Sequence, residues 1–212
     1  MQKLFHYNSP FVKWVNRMGK IVILNILYVL CCIPFFTIGA ATAALYRVTM
    51  DLARKNDDVE PVRDFFHAFR ANFKSATPVW LILLIPTVLV IVNLLVLIGG
   101  SLGTSYASLI ICLIPVPPLL FIYAYVFAYV ATFEDKPLRT ILNSAVISIS
   151  NFFKTLAMIV LNLLPPLVYL FATEWFLRLL FIWLLLAFAL IAYLNSKLIL
   201  RAFRPYLEKE NP

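Results

Sequence analysis

The sequence predicts an all-α, polytopic helical membrane protein with four to five transmembrane helices and additional amphipathic helices at the membrane interface. Of its 212 residues, 63% are hydrophobic and only 13% are charged, against roughly a quarter charged in ordinary soluble domains. The stretch from Ser75 to Phe133 contains no Lys, Arg, Asp or Glu. A run of about 18 or more apolar residues predicts a membrane span. No polar stretch is long enough to form a separate water-soluble catalytic domain.

We interpret residues 1–212 as a single integral membrane domain. Its apolar segments cover residues 21–46, 77–98, 107–132, 155–173 and 176–196. The long uncharged stretch has room for two spans, and the glycine-rich segment 99–105 is the natural turn between them. Glu174 and Arg178 flank the turn between the last two spans, and their spacing of four residues allows an ion pair at the membrane surface.

The first apolar segment, 21–46, contains Pro34 and Gly39 and is compatible with two arrangements. It forms either one kinked span or a re-entrant hairpin of two half-length helices. A single crossing places 13 of the 18 Lys and Arg residues on one side of the membrane, and a hairpin places 17 of them there. The positive-inside rule makes that side cytoplasmic in both cases. The C-terminus is therefore predicted to be cytoplasmic, whereas the side of the N-terminus depends on the arrangement.

The segment before this run, residues 10–20, has the pattern of an amphipathic helix lying on the membrane. Its apolar face carries Phe11, Trp14, Val15 and Met18, and its polar face carries Lys13, Asn16, Arg17 and Lys20. A basic polar face opposite an aromatic one is typical of an interfacial anchor.

Two longer polar loops resemble each other and predict a parallel internal repeat. Residues 57–63 and 134–139 each contain acidic residues followed by Pro-x-Arg, and each continues into an amphipathic helix. The apolar side chains of these two helices form a possible partner-docking face: Phe65, Phe66, Phe69, Phe73, Ile141, Leu142, Ile149 and Phe153. Such a face fits either the groove of a partner protein or the lipid surface.

Several apolar segments contain residues that disfavour a regular helix near their middle. The possible midplane helix breaks are Pro34, Gly39, Pro86, Pro115, Pro117, Pro118, Pro165 and Pro166. Broken helices free backbone carbonyls that can line a cavity. Kinks that only shape the bundle are the alternative, since proline is common in membrane helices.

The sequence contains no motif for catalysis, metal binding or a cofactor. Its two histidines are His6 and His67, and its three cysteines, Cys31, Cys32 and Cys112, lie inside apolar runs. These residues are too few and too separated for a zinc site or a catalytic set, so we predict no enzyme, no metal, no cofactor and no catalytic residue. The net charge is +8, and the basic residues that produce it lie between the apolar runs, where they indicate which side of the membrane each loop faces. We therefore predict no nucleic-acid partner.

The polar residues inside the apolar runs are uncharged. They include Asn25, Thr37, Asn93 and Asn162. Asn in a membrane helix usually hydrogen-bonds a neighbouring helix, and the absence of interior charge argues against a charge-driven pump. This composition leaves room for an accessory subunit or for a channel or carrier of a neutral polar solute.

The chain resembles a known family, and its length and span layout extend the resemblance over essentially the whole chain. The segment Ile33–Ala41 (Ile-Pro-Phe-Phe-Thr-Ile-Gly-Ala-Ala), preceded by Asn25–Tyr28 and followed by Ala44–Tyr46, resembles the start of the YesL family of bacterial membrane proteins. The stretch Phe65–Lys74, followed by a span containing Trp80, is also similar to that family. The resemblance implies a protein of the bacterial plasma membrane, in a family often encoded beside carbohydrate-uptake permeases and polysaccharide-degrading enzymes. It implies no catalytic residue.

These observations predict an accessory or regulatory membrane component associated with carbohydrate uptake. Its expected partners are the lipid bilayer and either a sugar permease complex or a second copy of the chain. The alternative is an autonomous channel or carrier for a neutral polar solute.

Overall fold

A computed structural model of the chain describes residues 10–56, 58–98, 110, 114–178 and 180–210. Within these ranges the chain is helical and contains no β-strand. Four helices are long and apolar enough to cross a membrane: Phe11–Cys31, Pro61–Val96, Phe152–Tyr169 and Leu180–Glu208. The predicted class, an all-α polytopic membrane protein, is therefore confirmed.

The helices lie in the following order along the chain. They are α1 (Pro10–Cys31), a short 3₁₀ turn (Phe35–Thr37), α2 (Ile38–Ala53), α3 (Pro61–Ile98), α4 (Val116–Val130), α5 (Pro137–Ser150), α6 (Phe152–Phe171), α7 (Thr173–Arg178), α8 (Leu180–Ile182) and α9 (Phe188–Glu210). A π-helical turn, Trp183–Ala187, joins α8 to α9. The turn predicted at 99–105 and Cys112 lie outside the described residues.

The apolar run 21–46 divides into two helices at Pro34. This residue is extended (φ −74°, ψ 119°), and a proline cannot donate the next hydrogen bond of a helix. Thr37 Oγ1 lies 2.5 Å from the carbonyl oxygens of both Cys31 and Pro34. Its one O–H can therefore donate to the carbonyl of Cys31, an acceptor left open at the end of α1. Because α1 begins at Pro10, the predicted interfacial helix 10–20 is not a separate element but the first half of α1.

The direction of α1 is defined by its contacts with the last helices of the chain. Near its start, Arg17 Nη1 lies 3.5 Å from the hydroxyl of Tyr193. Nearer its end, Asn25 Nδ2 donates to the carbonyl of Leu184. The start of α1 therefore contacts α9, and a later residue of α1 contacts the π-helical turn that precedes α9. Helix α1 thus runs antiparallel to α9.

The second helix, α2, runs in the opposite direction to α1. Thr42 and Phe188 line one cavity, and Thr49 Oγ1 lies 2.8 Å from Ser196 Oγ, so α2 is parallel to α9. The run 21–46 is thus part of a hairpin rather than a single crossing. The hairpin also differs from the half-length version predicted, because α1 has 22 residues.

The third helix, α3, has 38 residues, a length of about 57 Å against a hydrocarbon core of about 30 Å. The amphipathic helix predicted over 61–74 and the span predicted over 77–98 are one continuous element. Pro86 in α3, like Pro165 and Pro166 in α6, lies inside a continuous helix. The helix breaks predicted at these three prolines are wrong, because α3 and α6 continue through them, as is common for proline in membrane helices.

The two similar polar loops are followed by different helices. The first loop leads into one continuous helix, α3, whereas the second leads into two helices, α5 and α6. Asn151 (φ −117°, ψ 43°) separates α5 from α6. Pro115, Pro117 and Pro118 lie at the start of α4, where the first turn has no intrahelical donor to lose. Within the described residues these three prolines therefore lie where α4 begins, and the rest of the predicted span 107–132 before them lies largely outside the described residues.

The start of α2 lies against α3 at close range. A Cβ atom added to Gly39 would lie 2.6 Å from Cβ of Trp80 and 2.8 Å from the carbonyl oxygen of Ala76. Ala40 and Ala44, on the same helix, are fully buried. Small residues of this kind let two membrane helices approach closely, so Gly39 serves helix packing and is not a helix break.

Candidate functional site

Charged residues are concentrated in one half of the bundle, which we call the charged end. It contains the start of α1, the α2–α3 connection with the end of α2, the α4–α5 connection, the start of α6 and the end of α9. Contacts between these segments include Arg17–Tyr193, Arg47–Ala131 and Lys154–Arg201. Every Lys and Arg in the described ranges except Arg178 lies in this half. Arg178 lies at the opposite end, 3.7 Å from the carboxylate of Glu174, which is the pair expected from their spacing.

A cleft of about 830 Å³ opens at the charged end between α2, α3 and the α4–α5 connection, and we call it the polar cleft. Its ionisable lining side chains are Arg47, Asp51, Asp64, His67, Lys74, Glu134, Asp135 and Lys136. In the part of the chain that the structure describes, no group of three or more His, Cys, Asp or Glu is placed to hold a metal ion. Charges of both signs line the opening and suit ion pairs with a polar protein segment.

Arg47 connects two walls of the polar cleft. Its Nη1 donates to the carbonyl oxygen of Ala131 at 3.3 Å, and its Nε lies 3.7 Å from Oδ2 of Asp51. Asp51 also pairs with Arg54 at 3.3 Å. The side chain of Arg47 is 46% exposed, so its guanidinium still faces solvent at the opening.

The acidic wall of the polar cleft is fixed by a hydrogen-bond network. The hydroxyl of Tyr129 donates to Oδ2 of Asp135 at 2.7 Å. Asn143 Nδ2 lies 2.8 Å from the Tyr129 hydroxyl and 3.2 Å from the same carboxylate oxygen, and Arg139 lies 3.8 Å from the other oxygen. The α4–α5 connection is therefore held in place by both of its helices.

A second cavity, of about 220 Å³, lies among the membrane-spanning helices between α1, α2, α6 and α9. We call it the intramembrane cavity. Its polar lining side chains are all uncharged, and they are Tyr28, Thr42, Tyr46 and Asn162. Pro165 and Pro166 also line it, so the structure brings together Asn162 and two prolines that the sequence had marked separately.

Asn195, which sequence reasoning did not single out, links two lining residues of this cavity. Its Nδ2 donates to Oδ1 of Asn162 at 2.9 Å and lies 3.5 Å from the hydroxyl of Tyr46. The side chain is fully buried, and its Oδ1 has no hydrogen-bond partner. An Asn inside the apolar run 176–196 was the signal that could have identified it.

Asn25 is fully buried against the π-helical turn between α8 and α9. Its Nδ2 donates to the carbonyl of Leu184 at 2.6 Å, and its Oδ1 accepts from the backbone N–H of Ala189 at 2.7 Å. A π turn interrupts the regular hydrogen bonding of a helix, and Asn25 contacts one acceptor and one donor at this interruption. This is the helix–helix hydrogen bonding expected of an Asn in a membrane helix.

The part of the predicted docking face that lies on α3 is largely buried, and its buried side chains cannot contact a partner. Phe65 is fully buried, which corrects its assignment to that face, because the aromatic stripe of α3 packs against the bundle. Phe69 and Phe73 are partly buried against the core, and Phe66 is 40% exposed.

The part on α5 and the start of α6 is exposed. Leu142, Ile149 and Phe153 point outwards, whereas Ser144 and Ser148 are fully buried, and Ile141 packs partly against the core. The buried face of α5 therefore consists of Thr140, Ser144 and Ser148 with one large apolar residue, Ile147, whereas most of its large apolar side chains point outwards. This arrangement suits lipid tails or another apolar surface around the helix.

These features define a polytopic α-helical membrane protein with a polar cleft at its charged end and an uncharged polar cavity among its spans. A model of a family described as a protein of unknown function, DUF624, matches residues 21–94. The matched region covers the second half of α1, all of α2 and nearly all of α3, and it is consistent with the YesL resemblance. No curated protein and no solved structure matches the chain.

Proposed function

We propose that the protein is an accessory or regulatory membrane component associated with carbohydrate uptake, and that it docks a partner at its charged end. The observation that carries the docking is the polar cleft, a wide opening lined by charges of both signs. Complementary charges across an interface give specificity and correct orientation. The resemblance to the YesL family supports a sugar permease complex as the partner and the bacterial plasma membrane as the location. A second copy of the chain is the alternative partner.

We propose further that the polar cleft binds and does not catalyse. The hydroxyl groups that line it belong to Ser75 and Thr132. Each donates to a backbone carbonyl three or four residues earlier, that of Asn72 and of Ala128 respectively. A catalytic hydroxyl is instead hydrogen-bonded to a general base that removes its proton.

The proposed orientation places the charged end in the cytoplasm, following the positive-inside rule. In a chain whose three native cysteines are replaced by serine, we expect Phe11→Cys and Glu60→Cys to react with a membrane-impermeant maleimide only after permeabilisation. Glu174→Cys, at the opposite end, is expected to react in intact cells. All three positions are exposed. Reaction of Phe11→Cys but not Glu60→Cys in intact cells would contradict the antiparallel α1–α2 hairpin.

Reversing a cation of the polar cleft is expected to release the docked partner. Lys74 lines the cleft, whereas Arg70, one turn earlier on α3, is exposed outside it. We expect Lys74→Glu to reduce the co-purified partner by about tenfold, which corresponds to about 1.4 kcal/mol, while membrane insertion stays unchanged. The measurement is mild-detergent purification from the native cell with quantitative mass spectrometry.

Arg70→Glu is the matched control, because it makes the same charge change on the same helix. An equal loss of partner in both variants would show a general effect of charge and contradict a specific role for the polar cleft. A wild-type chain that purifies alone would contradict docking altogether. That result would favour the channel or carrier alternative, which the intramembrane cavity supports and which solute flux into liposomes containing this chain alone would test.

A further inference from the structure

We infer that the intramembrane cavity is a binding site for an uncharged, hydroxyl-bearing ligand group that fits within its volume of about 220 Å³. The site lies among α1, α2, α6 and α9, away from the polar cleft. Its occupation does not depend on docking at the charged end, so each of the two proposals can fail without the other.

The acceptors of this site come from the two prolines in α6. Pro165 and Pro166 have no backbone N–H, so the carbonyls four residues earlier, of Leu161 and Asn162, lose their regular helical donor. In a membrane no water is available to replace a missing donor, and an unsatisfied backbone group is costly. Of these two residues Asn162 lines the cavity, so a ligand hydroxyl there supplies the donor that the Asn162 carbonyl lacks.

The donors of this site come from side chains. Oδ1 of Asn162 accepts from Asn195, and the Nδ2 group of Asn162 has no acceptor among the described residues. The free NH₂ group of this amide can donate to a ligand. The site therefore places N–H donors next to backbone acceptors, and a hydroxyl group, which both donates and accepts, complements this combination.

The lining also selects for an uncharged ligand. No Asp, Glu, Lys, Arg or His lines the intramembrane cavity among the described residues. An ionic ligand within the membrane would have no counter-charge there, and an unpaired charge at this depth is strongly unfavourable.

The cavity opens at the side of the bundle beside α6. Asn162 and Pro166 are exposed, whereas Tyr46 and Ala192, on the inner wall, are buried. The hydroxyl group can therefore belong to a membrane-borne amphiphile, such as the glycerol head of an acylglycerol, or to a free polyol that enters from water. The chemistry recognised is the same in the two cases.

Photolabelling distinguishes these sources. The chain in phosphatidylcholine nanodiscs is irradiated with a diazirine-bearing monoacylglycerol, and the adducts are located by mass spectrometry. We expect adducts on α1, α6 and α9 around the cavity, and competition by unlabelled 1-oleoylglycerol. Competition by 1-oleoylglycerol alone identifies a membrane-borne ligand, and competition by free glucose as well identifies a site open to soluble polyols. Equal labelling by a methyl ester probe with the same tail and no hydroxyl group would overturn the inference.

Two variants test the acceptors and donors separately. The double change Pro165→Ala and Pro166→Ala restores two backbone donors, so we expect about tenfold less labelling with no loss of thermal stability. Asn162→Leu removes the donor and is expected to reduce labelling to a similar extent. Because it also removes the acceptor of Asn195 Nδ2, its thermal stability is measured beside its labelling. Leu164→Ala, on the exposed side of the same helix, is the control and should label as the wild type does. Unchanged labelling in Asn162→Leu would mean that the cavity holds no such ligand.

Discussion

Asn25→Ala is expected to lower the free energy of unfolding by about 2 to 3 kcal/mol. The change leaves the carbonyl of Leu184 and the N–H of Ala189 without their partner at a fully buried position. A hydrogen bond between membrane helices is itself worth only about 0.6 kcal/mol on average. The larger expected loss comes from the orphaned groups, because each buried backbone group without a partner costs about 1 to 3 kcal/mol. Reversible denaturation in mixed micelles measures the difference.

Asn72→Ala is the matched control for this prediction. Asn72 Nδ2 donates to the carbonyl of Ala68 in the same helix, at 2.8 Å. In α3 the same carbonyl also accepts from the backbone N–H of residue 72, so removal of the Asn72 side chain leaves no orphaned group and is expected to cost less than about 1 kcal/mol. An equal loss of stability in both variants would contradict the role of Asn25 at the π-helical turn.

The class of the protein was predictable because it depends only on the length and spacing of apolar runs. Four uncharged stretches long enough to cross a bilayer predict a helical bundle, since helices satisfy their backbone groups without outside partners. The short helices were less predictable. The sixteen-residue α2 carries Arg47 and Asp51, and its burial depends on the helices around it rather than on its own hydropathy.

The sequence does not distinguish a proline that ends a helix from a proline inside one. Pro34 separates two helices, whereas Pro86 lies in a helix that continues. Both prolines remove a backbone donor, and at Pro86 the carbonyl that loses it is that of Ile82. One residue later, the carbonyl of Leu83 accepts from Thr87 Oγ1 and lies 3.3 Å from the hydroxyl oxygen of Tyr123. This contact joins α3 to α4 beside Pro86, and the sequence pattern around Pro86 does not show it.

The direction of the amphipathic faces was the hardest feature to predict. Alternation of apolar and polar residues identifies two faces of a helix, but it does not say which face points inwards when lipid surrounds the bundle. On α3 the aromatic face, with Phe65, packs inwards, whereas on α5 the buried face carries Ser144 and Ser148. The polar cleft could not be predicted from the sequence either. Its walls come from residues 47–51, 64–75 and 130–136, and only the tertiary packing brings these segments together.

Gly39→Ala is expected to destabilise the bundle by about 2 kcal/mol or more. The added Cβ would lie 2.6 Å from Cβ of Trp80 and 2.8 Å from the carbonyl oxygen of Ala76. Neither atom is the end of a flexible side chain, so α2 and α3 must move apart, and overpacking of a tight contact typically costs about 1 to 3 kcal/mol. The same denaturation measurement applies. Because α2 and α3 also form two walls of the polar cleft, we expect partner co-purification to fall with stability.

Gly19→Ala provides the control, because nothing lies within 4 Å of a Cβ added at that position. Gly19 is inside α1, where alanine is favoured over glycine by up to about 1 kcal/mol. The same chemical change is therefore expected to stabilise the protein at residue 19 and to destabilise it at residue 39. Opposite signs of this kind follow only if the backbones of α2 and α3 are in direct contact at Gly39. A gain of stability in both variants would show that they are not, and the position of the polar cleft between them would then be wrong as well.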